Sequence, residues 1–565
     1  MPPKLKVDLA PSTMKELKDT LWKAADKLRG SMDASQYKDV ILGLVFLKYV
    51  SDAFEERRGK IQAELEADGL NEEQIAQLID DVDEYTGRGV FWVSPRARWT
   101  YLAENAKGLD AIDGAEPKSI GLLIDEAMEL IMADNKSLAA TLPRIYNRDN
   151  VDQRRLGELL DLFNSARFTG QGASKARDLL GEVYEYFLEK FAKAEGKRGG
   201  EFYTPAGVVR VLVEVLEPHS GRVYDPCCGS GGMFVQAEKF LAAHNMEGSD
   251  ISVYGQELNE RTWRMAKMNL AIHGLNANLA SRWGDTFARD QHPELSGTNG
   301  ADFIMANPPF NIKDWARSES DPRWKYGVPP AGNANYAWIQ HILSKLATGG
   351  SAGVVMANGS MSSNSGGEGD IRAQIVEADL VSCMVALPTQ LFRSTGIPVC
   401  TWFFAKDKTA GPRGSVDRTG QLLFIDARNL GDMVDRAERA LSDEDIAKIA
   451  NTFHAWRGTK PVVEPVETKT PVVEPVETVE TKTPVVEPVE TYEDIPGFCY
   501  SATLAEIKAA DYALTPGRYV GAADVEDDGE PIEEKIARLS KDLFEQFEES
   551  ERLAAVVREQ LRRVS

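Results

Sequence analysis

The sequence predicts an α/β protein with three parts: a helical N-terminal domain, a central domain built on a parallel β-sheet, and a helical C-terminal tail. Three patterns lead to this prediction. Residues 12 to about 195 carry apolar side chains mostly at helical spacing, and residues after about 200 alternate short apolar runs with helix-like segments. Residues 532–564 repeat apolar positions mostly every three or four residues within a strongly charged segment. Short apolar runs separated by helices are typical of a parallel sheet covered on both faces.

The N-terminal region is predicted to form amphipathic helices. Apolar residues between Tyr37 and Leu47 follow the i, i+3, i+4, i+7 spacing of a helix with one apolar face, and residues 120–131 and 156–163 repeat this pattern. Four aromatic residues interrupt the helices, and we interpret them as a local core cluster: Phe91, Trp92, Trp99 and Tyr101.

The central domain is predicted to contain strands separated by helices that begin near Ser230, Asn259 and Asn335. The predicted strands are short apolar runs, at residues 222–225, 253–257, 302–306, 352–357, 380–387 and 400–405.

Residues 460–491 differ in composition from the rest of the chain. The unit Pro-Val-Val-Glu-Pro-Val-Glu-Thr begins at Pro461, Pro471 and Pro484. Frequent prolines prevent helix and central-strand structure, and no aromatic residue is present to build a core. We therefore predict an extended, solvated spacer. The predicted domain boundaries are a helical domain at 1–165, the α/β domain at 166–459, the spacer at 460–491 and a C-terminal segment at 492–565.

The C-terminal segment ends in a stripe of apolar residues that runs from Ile532 to Leu561. Such a stripe on a charged helix resembles a coiled-coil seam and predicts a helix that docks on another subunit. A helix folded back on its own domain is the alternative interpretation.

Composition excludes several classes of protein. No apolar run approaches the roughly 18 residues of a transmembrane helix, and the N-terminus lacks the apolar core of a signal peptide. The chain has five cysteines, of which Cys227 and Cys228 are adjacent, and this spacing suits neither a disulfide framework nor a zinc site. We therefore expect a cytoplasmic protein with no membrane contact and no metal ion.

The net charge of −23 is unevenly distributed, since residues 461–565 contain 24 acidic and 11 basic side chains. A protein of this charge does not coat nucleic acid indiscriminately, but a local contact with DNA remains allowed.

A glycine-rich turn follows the first predicted strand and opens a helix. Its sequence is Asp225-Pro226-Cys227-Cys228-Gly229-Ser230-Gly231-Gly232. Glycine lets the backbone approach a ligand closely, and a helix N-terminus favours a negative group such as a carboxylate. The turn has neither the spacing of a dinucleotide fingerprint nor the lysine of a P-loop.

An acidic residue, Glu257, ends the second predicted strand. In dinucleotide-binding folds a carboxylate at this place accepts hydrogen bonds from ribose hydroxyl groups. A glutamate at the start of a helix is the purely structural alternative.

The turn Asn307-Pro308-Pro309-Phe310 follows the predicted strand at 302–306. Two prolines make this turn rigid, so that an amide and an aromatic ring are held at the carboxyl edge of the sheet. The Asn307 carbonyl can accept a hydrogen bond from an exocyclic amine, and Phe310 can stack on a flipped base.

These motifs resemble those of S-adenosylmethionine-dependent amino-methyltransferases that act on DNA. Further segments resemble the modification subunit of type I restriction-modification systems, and together they cover nearly the whole chain except residues 460–491. These segments are residues 29–33 through 49–52, 91–93, 387–388 to 396–398, and 514–519. Residues 200–205 and 284–287 resemble cofactor-site segments of the methyltransferases.

The resemblance implies a Rossmann-like S-adenosylmethionine-dependent methyltransferase domain and roles for individual residues. Cofactor contacts are implied for Glu201, Phe202, Tyr203, Thr204, Pro205, Ala206, Asp225, Gly229, Ser230, Gly231, Gly232, Glu257 on the ribose and Asp285 on the adenine ring. The catalytic turn is implied at Asn307, Pro308, Pro309 and Phe310, where the Asn307 amide and the Pro308 carbonyl accept the protons of the target amine. Cys227 and Cys228 are expected to be loop residues and not nucleophiles.

The resemblance also implies the reaction and the partners. The expected activity is methyl transfer to N6 of adenine in double-stranded DNA, with sequence choice supplied by a separate specificity subunit. A second copy of the chain is expected in the complex, and a restriction subunit is left open. Cytosine N4 as the target and a catalytically idle DNA-binding assembly subunit are the alternatives. A protein-glutamine methyltransferase also uses an Asn-Pro-Pro turn, but it explains neither the helical N-terminus nor the tail.

Overall fold

The structure of the chain is a computed structural model. It describes residues 14–26, 32, 34–111, 116–165, 181–191, 204–244, 246, 250–392, 397–436, 438–459, 492–522, 540–541 and 552. The predicted spacer lies outside these residues, as do Glu201, Phe202, Tyr203 and nearly all of the predicted tail helix. Residues up to Val520 form one compact unit, and residues 521–565 belong to a second.

Helices make up the N-terminal part, in agreement with the prediction. In the described residues they are α1 (Met14–Asp26), α2 (Ala34–Ala67), α3 (Glu72–Leu78), α4 (Asp83–Thr86), α5 (Trp99–Glu104), α6 (Ile120–Asp134), α7 (Gln153–Ser165) and α8 (181–191). Their apolar side chains share one core, to which the predicted aromatic residues Phe91, Trp92, Trp99 and Tyr101 also contribute.

The first half of α2 corrects the prediction of an amphipathic helix. Every residue from Val40 to Ser51 is buried, so this part of the helix has no solvated face. Gly43 lies against the side chains of Tyr146 and Pro143, and helix α11 (Glu260–Ile272) of the central domain packs on the same helix. A helix that is apolar on all sides belongs in the middle of a core, and the observed packing places it there.

A nine-stranded sheet forms the central layer, with strand order β11-β8-β6-β7-β5-β4-β1-β2-β3. Its strands are β1 (Gly221–Asp225), β2 (Ile251–Gly255), β3 (Ala277–Asn278), β4 (Ala301–Ala306), β5 (Leu346–Ala357), β6 (Val381–Ala386), β7 (Val399–Ala405), β8 (Gln421–Asp426) and β11 (Cys499–Thr503). A separate two-stranded ribbon pairs β9 (Asp432–Met433) with β10 (Arg439–Ala440).

The sheet is mixed, so the prediction of a parallel sheet is wrong for β7, the strand predicted at 400–405, whereas β11 was not among the predicted strands. β7 runs antiparallel to β5 and β6, and β11 runs antiparallel to β8. Only residues 387–398 connect β6 to the neighbouring β7, and their described part contains no crossover helix. A parallel neighbour would require such a crossover.

Helices cover both faces of the sheet. One face packs on α9 (Ala206–Leu216), α10 (Gly232–Ala243), α11 (Glu260–Ile272) and α14 (Asp443–Arg457). The other packs on α12 (Asn335–Lys345), α13 (Glu368–Glu377) and α15 (Leu504–Ala509). The predicted α/β class is thereby confirmed. In the part of the chain that is described, no helix is both long and apolar enough to cross a membrane.

The parallel pairing brings three motifs to one edge. β1 lies between β2 and β4, and the three strands run in the same direction. The glycine-rich loop (residues 225–232), Glu257 and the Asn-Pro-Pro-Phe turn (residues 307–310) therefore meet at their carboxyl ends, where open α/β sheets bind ligands.

Candidate active site

A cavity of about 580 Å³ lies at this carboxyl edge. Its size is in the ordinary range for a small-molecule site. The predicted cofactor residues in its wall are Thr204, Ala206, Asp225, Gly229, Ser230, Gly232, Glu257 and Asp285. Pro205 and Gly231 are the N-cap residues of α9 and α10, directly beside this wall. Among the predicted catalytic residues, Asn307, Pro309 and Phe310 line the cavity, and Pro308 is buried between them.

The glycine-rich loop adopts a conformation that depends on glycine at two positions. Gly229 and Gly231 have φ angles of 56° and 81°, in the left-handed region where a Cβ atom is unfavourable. Gly231 ends the loop and caps α10, whose first residue, Gly232, is exposed to the cavity. The N-terminus of a three-turn helix therefore faces the ligand space, and it favours a negatively charged group there.

Glu257 is fixed to this loop by two backbone hydrogen bonds. Its Oε2 accepts from the Gly229 amide at 3.1 Å, and its Oε1 accepts from the Asn259 amide at 2.8 Å. Burial raises the pKa of Glu257, although these amides oppose the shift. A carboxylate has about four acceptor positions, so the oxygens retain capacity for hydroxyl groups of a ligand.

Asp225 is also buried, with 2% of its surface exposed. Its Oδ1 accepts a hydrogen bond from the Cys227 amide at 2.9 Å. Burial raises the pKa of Asp225 to about 7, and the nearby charge of Glu257 acts in the same direction. Two carboxyl groups in one wall thus make the cavity favourable for a cation or for hydrogen-bond donors.

The turn at residues 285–287 forms another part of the wall. Asp285 Oδ1 accepts from the amide of Phe287 at 2.7 Å, and the Thr286 hydroxyl donates to the Pro226 carbonyl at 2.7 Å. The ring centre of Phe287 lies 4.4 Å from that of Trp338 and 5.0 Å from that of Trp315. This turn therefore presents a carboxylate and an aromatic wall side by side.

The side-chain amide of Asn307 has one hydrogen-bond partner and one free end. Nδ2 donates to the Thr204 hydroxyl at 2.9 Å. Oδ1 is buried and has no hydrogen-bond partner among the described residues. A buried carbonyl oxygen without a donor is unfavourable by about 1–3 kcal/mol, which favours the binding of a ligand donor.

Phe310 and the end of the turn are held from two sides. The Phe310 ring meets Phe392 edge-on at 6.1 Å between centres. The next residue, Asn311, has a φ of 55° and forms two hydrogen bonds with the buried side chain of Asn335, at 3.0 Å and 2.9 Å.

Sequence reasoning missed several residues of the site. Asn269 donates to the Ser230 carbonyl at 2.9 Å, and Leu258 lines the cavity although 65% of it is exposed. The available signals were a polar residue on the apolar face of α11 and an apolar residue directly after Glu257. Phe287, Trp315 and Trp338 were also missed as cavity residues, since a cluster of aromatic residues far apart in sequence has no local pattern.

The two adjacent cysteines do not have the properties of nucleophiles. Burial, with the nearby Asp225 and Glu257, raises the pKa of both Cys227 and Cys228 well above the ordinary value. Reactive cysteines require the opposite shift. Within the described residues there is also no group of histidine, cysteine and acidic side chains that could hold a metal ion.

Comparison with known proteins identifies relatives over most of the chain. The family model described as N-6 DNA Methylase matches residues 175–528, and that described as HsdM N-terminal domain matches residues 17–163. The type I restriction enzyme HindI methylase subunit of Haemophilus influenzae is 44% identical, over 82% of this chain and 98% of its own. The MjaIX methylase subunit of Methanocaldococcus jannaschii is 36% identical, over 96% and 90%.

A solved structure has the same fold. The type I restriction-modification system methyltransferase subunit from Streptococcus thermophilus superposes with a TM-score of 0.67 at 23% identity, and the match covers 90% of this chain and 99% of that one.

Proposed function

Because the chain belongs to the N-6 DNA methylase family, among the type I restriction enzyme methylase subunits, we propose that its cavity binds S-adenosylmethionine and that the Asn-Pro-Pro-Phe turn holds the target base. The chain is an adenine-N6 DNA methyltransferase. The observation that carries the proposed site is that Asn307 lines the cavity and that its buried Oδ1 has no hydrogen-bond partner among the described residues.

The cavity walls fit each part of the proposed methyl donor. Glu257 accepts hydrogen bonds from the ribose, and the 285–287 turn offers a carboxylate and aromatic rings to the adenine. The N-terminus of α10 favours the carboxylate of the methionine end. Asp225 and Glu257 favour the positive charge that this end and the sulfonium carry.

When bound, S-adenosylmethionine supplies an electrophilic methyl group on a sulfonium. The amine of adenine is a poor nucleophile because its lone pair is delocalised into the ring. Asn307 Oδ1 accepts a hydrogen bond from one N–H of this amine, and the Pro308 carbonyl accepts a hydrogen bond from the other, which favours tetrahedral geometry at the nitrogen. In this arrangement the lone pair would take the methyl group as the sulfur–carbon bond breaks, and the nitrogen would lose one proton to solvent. Phe310 stacks on the extruded base.

Thr204 has a positioning role in this proposal. Its hydroxyl accepts the hydrogen bond from Asn307 Nδ2. The amide nitrogen is thus occupied, and the oxygen, which is the end that an amine can use, has no partner among the described residues.

We propose that double-stranded DNA is the substrate and that a separate specificity subunit selects the sequence. Residues 405–459 are too few for a further sequence-reading domain. In the described part of this range, β8 joins the central sheet and α14 packs on α9. A second copy of the chain, and a restriction subunit in some assemblies, complete the proposed complex.

The experiment pairs cofactor binding with product identity. We expect isothermal titration to give saturable S-adenosylmethionine binding by the chain. With the specificity subunit, tritiated methyl groups should enter genomic DNA from a host that lacks the enzyme, and mass spectrometry should identify N6-methyladenine. N4-methylcytosine would contradict the target, and absence of cofactor binding would indicate an idle assembly subunit.

Three variants separate the proposed roles. Asn307→Ala should lower methyl transfer by about a hundredfold or more, as for loss of a transition-state hydrogen bond, with nearly unchanged cofactor affinity. Phe310→Ala should weaken capture of the base, since stacking contributes roughly 1–3 kcal/mol. Glu257→Ala should weaken cofactor binding first. Methylation by Asn307→Ala at the wild-type rate would contradict the assignment of this turn as catalytic.

A further inference from the structure

We propose that Arg323 is a positioning residue for the adenine end of the cofactor site, acting through the 285–287 turn and thereby setting the affinity for S-adenosylmethionine. This inference rests on the proposed function. Neither the sequence motifs nor the resemblance pointed to Arg323, which lies in the loop between the Asn-Pro-Pro-Phe turn and α12.

Arg323 holds the turn through its backbone. Nη1 donates to the Thr286 carbonyl and Nη2 to the Phe287 carbonyl, both at 2.9 Å. The guanidinium also lies 5.7 Å from the centre of the Phe287 ring and 5.3 Å from that of Trp324. Thr286 and Phe287 line the cavity, whereas Arg323 is not part of its wall. Arg323 therefore contacts the 285–287 turn on the side away from the cavity. It can affect a bound ligand only by changing the position of this turn.

Asp321 orients the guanidinium. The two side chains form an ion pair, with Nη2 to Oδ2 at 2.5 Å and Nε to Oδ1 at 2.9 Å, and each is only 12% exposed. The Arg323 backbone amide also donates to Asp321 Oδ1, at 2.9 Å. A planar guanidinium satisfies a carboxylate and two carbonyls at once, which the single ammonium group of lysine does not.

A buried histidine extends the contact to strand β1. Nη1 of Arg323 lies 3.1 Å from Nδ1 of His341, and His341 Nε2 lies 3.1 Å from the Tyr224 hydroxyl. Arginine can only donate, so Nδ1 accepts and Nε2 carries the proton that is donated to Tyr224. Burial, together with the charge of Arg323, lowers the pKa of His341 well below its ordinary value, which keeps the ring neutral.

The hydrogen-bonded network therefore connects two walls of the cavity. Tyr224 directly precedes Asp225, and the 285–287 turn is joined to the glycine-rich loop by the bond from Thr286 to Pro226. Loss of the guanidinium would leave two carbonyls and one imidazole nitrogen without their donors, next to the surface that receives the adenine.

The test substitutes Arg323→Lys in the full chain. We expect isothermal titration to show a dissociation constant for S-adenosylmethionine raised about tenfold or more, a free-energy change of about 1.4 kcal/mol. With the specificity subunit and saturating cofactor, kcat should stay within about twofold, since the Asn-Pro-Pro-Phe turn is untouched. Asp321→Asn should weaken binding in the same direction, and the double variant should show less than the sum of the two effects.

Arg317→Lys is the matched control. Arg317 lies in the same loop, donates to the Pro329 carbonyl at 2.8 Å and pairs with Glu319, but it does not contact the 285–287 turn. Its variant should bind the cofactor as the unaltered chain does. A wild-type dissociation constant for Arg323→Lys, in a chain that binds S-adenosylmethionine, would overturn this inference alone. Equal losses of binding, kcat and melting temperature in Arg323→Lys and Arg317→Lys would also overturn it. Failure of the unaltered chain to bind the cofactor would instead overturn the proposed function.

Discussion

The Asn307 amide is hydrogen-bonded to a residue 103 positions earlier in the chain, Thr204. Thr204 lies just before α9, and Asn307 lies just after β4. The rigid turn places the asparagine at the edge of the sheet, and the threonine hydroxyl accepts a hydrogen bond from the Nδ2 end of its amide. The sequence therefore predicts the asparagine of the turn, but it does not predict which residue the asparagine side chain contacts.

Asp225 provides a prediction about pH. Its pKa is raised from 3.8 to about 7 because the carboxyl group is buried. The carboxyl group therefore binds its proton more tightly in the folded chain than in the unfolded chain. Its contribution to the free energy of unfolding is complete below about pH 4 and is lost as the pH rises through about 7. Asp225→Asn keeps an acceptor for the Cys227 amide and cannot ionise.

We therefore expect the difference in free energy of unfolding, Asp225→Asn minus wild type, to increase between pH 5 and 8. The increase should be on the order of a few kcal/mol, at about 1.4 kcal/mol per pKa unit. Thermal unfolding of both proteins without cofactor, at several pH values, measures it. A difference that is constant with pH would show that Asp225 does not titrate in this range.

At the scale of elements, the Asn-Pro-Pro-Phe turn is held between β4, the start of α9 and the start of α12. The contact with α12 is the pair of hydrogen bonds between Asn335 and Asn311. Asn311 has a positive φ, which asparagine tolerates better than most residues, and it follows Phe310 directly. The end of the turn is thus fixed by an element that begins 24 residues later.

Asn335→Ala should therefore slow methyl transfer and leave cofactor affinity within about twofold. Two hydrogen bonds at about 1 kcal/mol each correspond to a loss of roughly tenfold or more in rate. Asn333→Ala is the matched control, because the Asn333 side chain accepts a hydrogen bond from the Asn335 backbone amide and leaves the Asn335 side chain, which contacts Asn311, in place. If both variants methylated DNA equally well, the Asn335 contact would have no part in placing Phe310.

At the scale of the whole molecule, the sequence predicts that the tail helix docks on the specificity subunit. Truncation after Gly529 removes the apolar stripe from Ile532 to Leu561. Cofactor affinity should be unchanged, since none of the described residues that line the cavity lies beyond Trp338, and co-purification with the specificity subunit should be lost. Retention of the complex would contradict this role of the tail.

Excision of residues 461–490 is the control for that truncation, and it should change neither activity nor melting temperature appreciably. The structure shows that the flanking residues lie near each other. The Arg418 guanidinium lies 5.1 Å from the ring centre of Trp456, before the segment, and 5.6 Å from that of Tyr492, after it. The two ends of the segment are therefore close together in space. A short connection can span this distance at about 3.4 Å per residue. A large fall in melting temperature would show that the segment is not a solvated spacer.

Short sequence patterns were sufficient to predict the fold class of this protein and most of the residues proposed for its site. Apolar runs, a glycine-rich turn, Glu257 and the Asn-Pro-Pro-Phe turn were sufficient to predict the α/β class, and the family that they resemble is confirmed by the relatives. Such signals survive in sequence because turns and strand ends depend on neighbouring residues. Only the tertiary structure decided that β7 and β11 run antiparallel, since an apolar run is the same in either direction. Tertiary structure also placed Thr204 on Asn307, Asn335 on Asn311 and Arg323 behind the 285–287 turn. Each of these contacts joins segments distant in sequence, and a hydrogen bond between them exists only once the sheet has brought its carboxyl edge together.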